Sequence, residues 1–545
     1  LSLTIVRKMA QHYKRNPYVI GWQVDNEING PSCFCNSCKE EWHDWLRTCY
    51  GTIKKLNHAW GTHFWGQFYK EWAEIQMPPH AHHNPSLMLD WHRFNSWLNV
   101  RFQNEQISII KEVCPHHFVT HNFMGFGTNA VNPYDLAKEL DFVSWDNYPI
   151  WSKPDIKYNA ACMADLTRGL KQKNFWIMEQ TAGPGGWDTI GRNPRPGEIT
   201  NIAFQQVAHG ADAIIWFRWR TCSAGHEQYW HGILGYNGIP GRRYKECKKT
   251  ATTLHKISSE IKDTTVRSEV AIIYDQESRW AFESQNAYEN NTIPDAIHRY
   301  YDSFFRKGIN VDIINTDMQI SKYKILIAPQ LLILSPEIAR KLNSFVRYGG
   351  ILLGDIRMGV KTKTNLCHEK FFPAFLTNTF GIKIEEYEGL LGGDNGFTYK
   401  IVGRTPFEGI FTSSRFVDWV IPEKAKVLAQ YTDWHMSTYA ALTKNKYGKG
   451  YAYYLGTIVR EIEFYDMLIS EILRKANIHP LVHLPAGVEL SIREGKNKKI
   501  MFLINHTEEE KSVPIPDGKL ELLSNKHTDK TILLDKYGIA VIKIR

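Results

Sequence analysis

The chain has 545 residues, a formal net charge of +9, 43% hydrophobic residues and 23% charged residues. These proportions are typical of a folded globular protein and exclude extensive disorder. At about 150 residues per domain, the length predicts three or four domains. Basic and acidic residues are interspersed without a long basic segment, which argues against a nucleic-acid-binding protein. No run of about 18 apolar residues occurs, so no membrane-spanning segment is expected.

The cysteines favour a reducing compartment, and we expect the protein to be cytoplasmic. There are nine of them, an odd number without the regular spacing of a disulfide framework. Cys33, Cys35 and Cys38 lie within six residues of one another. Such closely spaced thiols form a separate chemical signal, a candidate metal-binding cluster.

The first half of the chain alternates short apolar runs with amphipathic stretches. Each run ends in polar or aromatic residues, and the intervening stretches have helical periodicity. The predicted strands are 19–24, 118–123, 142–145, 175–178 and 213–217, and the predicted helices between them include 91–113, 160–172 and 198–210. Strands that alternate with helices indicate a parallel sheet, and polar residues at strand carboxyl ends are typical of the catalytic face of (β/α)₈ barrels.

A closed (β/α)₈ barrel needs eight strands, whereas the sequence shows five. We therefore expect an α/β TIM barrel domain over 1–265, ending in a helical spacer over 241–265, whose N-terminal three βα units are missing from this chain. An open sheet is the alternative. Without those units, the chain as written is expected to be poorly stable and weakly active or inactive, because edge strands would be left unpaired.

Two further domains are predicted after the barrel. Strand and helix signals alternate again over 266–480, which favours a flavodoxin-like α/β domain. A glycine-rich strand at 349–355 is followed by no cysteine nucleophile, so an amidotransferase is not expected and an interaction role is preferred. Short alternating runs with polar turns over 481–545 predict a small antiparallel β domain.

Two glutamates are the first candidates for chemistry. Glu27 and Glu179 each end an apolar strand, beside Asn26 and Gln180 respectively. One such glutamate is usually a salt-bridge partner, but two at strand ends suit glycoside hydrolysis. In that reaction one carboxyl group donates a proton to the leaving oxygen, and an ionised one attacks the anomeric carbon.

Several motifs, in order along the chain, resemble glycoside hydrolase family 42, the β-galactosidases of clan A. They are Trp22-Gln23-Val24-Asp25-Asn26-Glu27, Cys33-x-Cys35-x-x-Cys38, Asn57-x-Ala59-Trp60-Gly61-Thr62-x-Phe64-Trp65, Trp145-Asp146-Asn147-Tyr148-Pro149, Phe175-Trp176-Ile177-Met178-Glu179-Gln180, and Phe217-Arg218-Trp219-Arg220 with Glu227-Gln228-Tyr229-x-His231-Gly232. The order of the two later domains is also similar to that of the family. In the family, the flavodoxin-like domain builds a homotrimer.

The resemblance implies roles for the central residues. Glu27 would be the acid/base and Glu179 the nucleophile of a retaining double displacement through a galactosyl-enzyme. Asn26 would bond the sugar 2-hydroxyl, a contact that strengthens in the transition state.

The resemblance also implies substrate contacts further from the reacting bond. Trp187 would shape the −1 subsite, and Trp65 would enter from the long loop after the acid/base strand. Glu227 and His231 would grip galactose hydroxyls; a structural ion pair is the alternative for these two. A buried polar pair of this kind can distinguish the axial from the equatorial 4-hydroxyl.

The cysteine cluster Cys33, Cys35 and Cys38 suits one structural Zn²⁺ beside Glu27, although a closed site needs a fourth ligand. The resemblance implies that this ligand comes from upstream of the acid/base strand. Cys49 is the nearby substitute, and free cysteines left from a decayed site are the alternative. The histidine-rich tract 79–83 is interpreted as a solvated loop.

The sequence therefore predicts a cytoplasmic, homotrimeric, retaining β-galactosidase that acts on terminal non-reducing β-D-galactosyl units of oligosaccharides. No organic cofactor, nucleic acid or membrane is expected. Related α-L-arabinopyranosidase activity and a non-catalytic carbohydrate-binding or scaffolding protein are the alternatives. A zinc-module protein that binds nucleic acid has only the cysteine cluster and the basic pI in its favour.

Overall fold

The computed structural model describes residues 1–30, 32–78, 83–392 and 395–545. In the barrel segment, 1–265, helices and strands alternate as predicted. The helices are α1 (Ser2–Tyr13), α2 (Asn36–Tyr50), α3 (Ile53–Trp60), α4 (Pro85–Val113), α5 (Pro133–Ala137), α6 (Ile156–Lys171), α7 (Glu198–Ala208) and α8 (Arg242–Ile261). The strands are β1 (Gly21–Gln23), β2 (Phe118–Thr120), β3 (Asn122–Phe123), β4 (Ser144–Asn147), β5 (Phe175–Thr181) and β6 (Ala211–Phe217).

The strands of the barrel segment are parallel, as expected for a βα barrel architecture. In the described residues they form two sheets, β1-β2 and β3-β4-β5-β6. Parallel neighbours bring their carboxyl ends to one edge, so the polar residues that follow each strand gather there. The order of the strands thus places Glu27, after β1, and Glu179, in β5, on the same side of the molecule.

Helix α4 is longer than predicted and begins at Pro85 rather than near residue 91. The side chain of Asn84 accepts hydrogen bonds from Ser86 N and Leu87 N at 3.0 and 3.1 Å, and Pro85 occupies the first helical position. Both features favour initiation of a helix at this point. None of the helices in the described ranges combines the length and apolar character that crossing a membrane requires.

The flavodoxin-like segment, 266–480, is built on one mixed sheet. Its helices are α9 (Gln276–Ser284), α10 (Ile293–Arg306), α11 (Pro336–Arg347), α12 (Thr377–Phe380) and α13 (Ile462–Lys475). Its strands, after β7 (Thr265–Val266), are β8 (Val270–Ile273), β9 (Val311–Ile314), β10 (Ile325–Ala328), β11 (Ile351–Asp355), β12 (Ile382–Gly389), β13 (Lys400–Gly403), β14 (Gly409–Pro422), β15 (Lys426–Tyr431), β16 (Ala440–Tyr447), β17 (Gly450–Leu455) and β18 (Thr457–Val459).

The parallel half of this sheet has the order β9-β8-β10-β11-β17, which is the flavodoxin-like order 2-1-3-4-5. The prediction of a flavodoxin-like fold is therefore confirmed. The antiparallel strands β12 to β16, which extend the sheet beyond β17, were not predicted.

The C-terminal segment, 481–545, contains antiparallel strands, as predicted. They are β19 (Val488–Glu494), β20 (Lys499–Asn505), β21 (Lys511–Pro514), β22 (Leu520–Glu521), β23 (Lys526–His527), β24 (Thr531–Leu534) and β25 (Ile539–Lys543). They form the sheet β23-β22-β25-β20-β19-β7 and the separate pair β21-β24. Because β7 at the end of the barrel segment pairs with β19, the first and last segments share a sheet.

The barrel segment also packs closely on the flavodoxin-like segment. Helix α6 approaches β9 at Gly169, where a Cβ atom added to the glycine would lie 1.8 Å from the carbonyl oxygen of Ile313. Only glycine allows the backbones to come so near. Helix α6, which follows β4 in the barrel segment, thus packs directly on the neighbouring sheet.

Candidate active site

A cavity of about 770 Å³ opens at the carboxyl ends of the barrel strands. Five of the predicted site residues line it: Asn26, Glu27, Glu179, Trp187 and Glu227. Residues as far apart in sequence as Asn26 and Glu227 thus line one pocket, and its volume is typical of sites that bind small ligands. The rest of the wall includes Met124, Phe126, Gly127, Trp145, Asp146, Asn147, Tyr148, Phe217, Arg218 and Trp230.

The turn that carries Glu27 has an uncommon backbone. Asp25 and Glu27 have φ angles of 56° and 44°, which non-glycine residues rarely adopt. Asn122 holds the turn from the neighbouring strand β3, since its Oδ1 accepts hydrogen bonds from Glu27 N at 3.1 Å and Gln23 Nε2 at 3.0 Å. Backbone strain maintained by its surroundings is typical of functional sites.

Asn122 also orients Asn26. Its Nδ2 donates to Asn26 Oδ1 at 2.9 Å and lies 3.4 Å from Glu179 Oε1. Asn122 therefore contacts the side chains of both Asn26 and Glu179. Sequence reasoning missed it, because a single amide inside an apolar strand carries no distinguishing signal.

Glu179 is half-buried and has one strong donor. The hydroxyl of Tyr148 donates to Glu179 Oε2 at 2.5 Å. Burial raises the pKa of Glu179, and the hydrogen bond from Tyr148 and the charge of Arg218 oppose that rise. The pKa of Tyr148 itself is raised by burial and by the hydrogen bond to Glu179, so the hydroxyl keeps its proton and acts as donor.

A third carboxyl group, Asp146, lies beside the two glutamates. Asp146 in β4 pairs in register with Glu179 in β5 and is 6% exposed. One oxygen atom from each of Glu27, Asp146 and Glu179 lies within 4.8 Å of the others. Burial, followed by the charge of Glu179 and the contact with Glu27, raises the pKa of Asp146 to about 9. This residue belongs to one of the motifs noted in the sequence but was not among the predicted site residues.

Glu227 pairs with an arginine of the cavity wall. Arg218 Nη2 donates to Glu227 Oε2 at 2.5 Å, and both side chains are partly exposed to the cavity. Since the ion pair fixes the carboxylate while leaving it accessible, Glu227 can still accept hydrogen bonds from a ligand.

Trp187 offers an aromatic surface at the cavity rim and is 50% exposed. Its ring stacks on His226 at 5.0 Å between centroids and meets Trp230 edge-on at 5.7 Å. Aromatic faces of this kind suit the apolar faces of sugar rings.

His231 and Trp65 are not among the residues that line the cavity. His231 Nε2 lies 3.4 Å from the Tyr236 hydroxyl, and His231 Nδ1 lies 3.5 Å from Arg243 Nη1. Trp65 is 75% exposed on the surface, 6.0 Å from the ring of His83. In the described residues Glu227 and His231 have different partners, since Glu227 bonds Arg218 whereas His231 lies near Tyr236 and Arg243. Of the histidine-rich tract, residues 79–82 lie outside the described residues.

The cysteine cluster is compact enough to hold one metal ion. One sulfur atom from each of Cys33, Cys35 and Cys38 lies within 4.8 Å of the others. Hydrogen bonds from the backbone of Cys38 and the thiol of Cys33 lower the pKa of Cys35, whereas burial raises that of Cys38. Three soft donors fit three of the four positions of a tetrahedral zinc site.

Cys49 does not complete this site. It lies in α2, 49 − 38 = 11 residues after Cys38 in the same helix. At a rise of about 1.5 Å per residue, this separates the two positions by about 16 Å. The expectation that Cys49 could substitute for the fourth ligand was therefore wrong.

Comparison with known proteins identifies the family of all three segments. Residues 1–257 match the family described as Beta-galactosidase of glycoside hydrolase family 42. Residues 268–479 match the Beta-galactosidase trimerisation domain, and residues 487–543 match the Beta-galactosidase C-terminal domain.

Individual relatives agree over nearly the whole chain. Beta-galactosidase BgaA of Clostridium cellulovorans is 36% identical over 99% of this chain and 82% of its own length. Beta-galactosidase BgaH of Haloferax lucentense is 32% identical over 97% of this chain and 80% of its own. The crystal structure of the β-galactosidase from Bacillus circulans sp. alkalophilus, 30% identical, superposes with a TM-score of 0.95 over 99% of this chain and 81% of that structure.

Proposed function

The chain belongs to the β-galactosidases of glycoside hydrolase family 42, and from this we propose that it hydrolyses terminal non-reducing β-D-galactosyl units of oligosaccharides with retention of configuration. The observation that carries the mechanism is the closeness of two carboxyl groups, since oxygen atoms of Glu27 and Glu179 lie within 4.8 Å. Retaining glycosidases hold their carboxyl groups about 5–5.5 Å apart, whereas inverting ones need about 6.5–9.5 Å to admit a water molecule.

In the first step Glu179 acts as the nucleophile and Glu27 as the acid. The Glu179 carboxylate forms a bond to the anomeric carbon while the glycosidic bond breaks, and Glu27 gives its proton to the leaving oxygen. The donor Tyr148 orients the Glu179 carboxylate through Oε2. Because the Tyr148 bond opposes the effect of burial on the pKa of Glu179, it favours the ionised nucleophile.

In the second step the galactosyl-enzyme is hydrolysed. Glu27, now ionised, takes a proton from a water molecule, whose oxygen attacks the anomeric carbon and displaces the Glu179 carboxylate. Galactose leaves in the β configuration, and Glu27 is protonated again. Asn26, held by Asn122, would bond the 2-hydroxyl of the sugar in both steps.

Substrate recognition is assigned to the outer part of the cavity. Trp187 would cover one face of the galactose ring, and Glu227, braced by Arg218, would accept hydrogen bonds from its hydroxyls. His231 and Trp65 remain proposed substrate contacts, although neither lines the cavity of this chain.

Zinc, assembly and location complete the proposal. The soft donors Cys33, Cys35 and Cys38 would hold a structural Zn²⁺ that braces the loop after Glu27.

The match of 268–479 to a trimerisation domain supports oligomers, and we infer a homotrimer. Nine free cysteines support a cytoplasmic location. We also propose that the barrel domain ends at residue 265 and the flavodoxin-like domain at residue 480.

The decisive experiment uses NMR to follow the anomer of the first galactose released from an aryl β-D-galactoside, by this chain and by a version of it that is extended upstream. We expect the β anomer, and its loss in Glu179→Ala. Release of the α anomer would exclude a covalent intermediate on Glu179. Release of another sugar but no galactose, across a panel of aryl glycosides, would exclude the substrate class.

Azide rescue separates the two glutamates. In Glu179→Ala, azide can occupy the space of the missing carboxylate and should give the α-galactosyl azide. In Glu27→Ala, azide attacks the galactosyl-enzyme from the opposite face and should give the β-galactosyl azide. The reverse pattern would exchange the two roles.

A further inference from the structure

The proposed mechanism makes no use of Asp146, a buried carboxyl group in the wall of the cavity. Its strand neighbour is Glu179, and its carboxyl group also contacts that of Glu27. Three negative charges within 4.8 Å of one another in a site of low dielectric constant would repel strongly. At least one of the three groups must therefore be neutral when the cavity is empty.

Glu27 carries the proton that it donates in the first step, and hydrogen bonding identifies Asp146 as a second neutral group of the cluster. Asp146 Oδ2 accepts a hydrogen bond from Asn122 Nδ2 at 2.6 Å. Its Oδ1 is buried and receives no hydrogen bond from any residue in the described ranges. A bare carboxylate oxygen is costly to bury, whereas a protonated carboxyl group carries its own donor. Glu179 differs, because Tyr148 donates to it.

The charged surroundings favour the same assignment. The titratable groups that face Asp146, or the two glutamates beside it, are Glu27, Glu179, Tyr148, Arg218 and Glu227. The positive charge of Arg218 is paired with Glu227 rather than with Asp146. Among the described residues Asp146 has negative neighbours and no cation paired with it, and its burial, the charge of Glu179 and the contact with Glu27 raise its pKa to about 9, so that it keeps its proton at neutral pH.

We propose that Asp146 is a positioning residue of the galactosidase reaction that stays protonated throughout the cycle and donates a hydrogen bond to the carboxyl group of Glu27. This inference rests on the proposed function. The bond stabilises the Glu27 carboxylate that forms when the proton leaves for the glycosidic oxygen. Asp146 passes its own proton neither to the substrate nor to water.

Two substitutions at this position separate the proposal from a structural role. Asp146→Ala removes the donor, and we expect kcat/KM to fall about 10- to 100-fold, the scale of one hydrogen bond to a charged group. Asp146→Asn keeps a neutral donor of the same shape. We expect it to restore at least about tenfold of the activity lost in the alanine variant.

The pH profile gives a readout that loss of packing would not change. Activity falls at high pH when Glu27 loses the proton it must donate. Without the hydrogen bond from Asp146, ionised Glu27 is less stable, so the basic limb of kcat/KM should move up by about one unit in Asp146→Ala. The limb should stay near its original place in Asp146→Asn. Ser144→Ala, two positions earlier in β4, is the matched control and should leave the limb unmoved.

Infrared difference spectroscopy tests the proton without relying on turnover. The enzyme should show a band of a protonated carboxyl group at neutral pH that Asp146→Asn removes and Ser144→Ala retains. Absence of that band, an asparagine variant no better than the alanine variant, or an unmoved basic limb in Asp146→Ala would each overturn the inference. Failure of both this chain and its upstream-extended version to release galactose would instead refute the proposed function, while the infrared band still tests Asp146.

Discussion

The imidazole of His209 lies 2.6 Å from the carboxylate of Glu489 and joins the barrel segment to the C-terminal segment. The other ring nitrogen of His209 lies 2.8 Å from Asp165 in α6. Asp165 in turn accepts a hydrogen bond from Tyr301 of the flavodoxin-like segment at 2.6 Å. A buried, charged junction thus connects all three segments, whereas the described residues that line the candidate active site all belong to the barrel segment.

This junction predicts a dependence of stability on pH. Burial opposes the charge on His209, but the charge of Asp165 and the bonds to Asp165 and Glu489 outweigh it and raise the pKa of His209 to about 9. A raised pKa means that the stabilisation is complete below about pH 6.5, the unfolded value, and is lost as pH rises through 9. This rise in the pKa of His209 corresponds to a contribution of about 3 kcal/mol to the free energy of unfolding.

Glu489 behaves in the opposite sense. Burial is outweighed by its bonds to His209 and His506, which lower its pKa to about 2. Its stabilisation is present above the unfolded value of about 4.5 and is lost as pH falls toward 2. From the titration of His209 and Glu489, we expect the midpoint of thermal unfolding to be highest between about pH 4.5 and 6.5. His209→Gln should lower the midpoint there and flatten its decline toward pH 9.

The control for this prediction is His298→Gln, in which a histidine nearer the surface loses its bond to Asp302. Differential scanning calorimetry across the pH range should show the decline above about pH 6.5 in this variant as in the wild type. A His209→Gln protein with the same decline would show that another group is responsible.

Strand-end reasoning predicted the two glutamates but not the whole carboxyl cluster. Glu27 and Glu179 were recognisable because each ends an apolar run, and parallel strands collect such residues at one edge. Asp146 also ends a run, after Trp145, so the same rule could have found it. Its contact with the other two depends on strand register and side-chain direction, which the local pattern does not encode.

Long-range pairing limited the prediction of the fold in the same way. The parallel strands of both α/β segments were visible as short buried runs bounded by turns. Strand β7 has two residues, and its pairing with β19 joins positions more than 200 apart in sequence. Likewise, Glu227 forms an ion pair with Arg218 in the cavity wall, and no spacing rule in the sequence reveals this pairing.

Tyr148→Phe should impair the nucleophile. Without the hydroxyl that donates to Glu179 at 2.5 Å, the pKa of Glu179 should rise further above its ordinary value. As pH falls, Glu179 then becomes protonated at a higher pH than in the wild type and can no longer attack. The acidic limb of the kcat/KM profile should therefore move to higher pH. We also expect kcat to fall about 10- to 100-fold, which steady-state kinetics across pH will measure.

The matched control is Tyr134→Phe. Tyr134 is also buried, and its hydroxyl lies 3.5 Å from the carbonyl of Ile313 rather than near the cavity. That variant should keep the acidic limb in place. If both tyrosine variants shift the limb alike, the effect comes from general destabilisation and the role of Tyr148 is wrong.

Substitution of the cysteine cluster tests the zinc proposal. Cys35→Ser removes one of three sulfur atoms that lie within 4.8 Å of one another. Elemental analysis should find about one zinc ion per chain in the parent protein and markedly less in this variant, with a lower thermal midpoint. Cys49→Ser is the control, because Cys49 lies near the far end of α2, and it should retain the metal. Equal zinc content in both variants would place the metal elsewhere.

Arg279 lies outside the barrel segment, yet we expect Arg279→Ala to weaken substrate binding. Arg279 in α9 of the flavodoxin-like segment donates from Nη1 to the carbonyl oxygen of Phe126 at 2.8 Å, and Trp280 Nε1 donates to that of Asn129 at 2.7 Å. Phe126 and Gly127 form part of the cavity wall. The flavodoxin-like segment therefore holds a loop that shapes the sugar pocket.

Loss of the Arg279 bond should loosen this wall without touching the reacting carboxyl groups. We expect KM to rise about three- to tenfold, the scale of one net hydrogen bond, with both limbs of the pH profile unchanged. Arg340→Ala, which breaks a highly exposed pair with Glu337 on α11, is the control and should leave KM as it was. If KM in Arg279→Ala equals that of the control, the loop keeps its position without α9; a shifted pH limb would mean that the loop also positions Glu27 or Glu179.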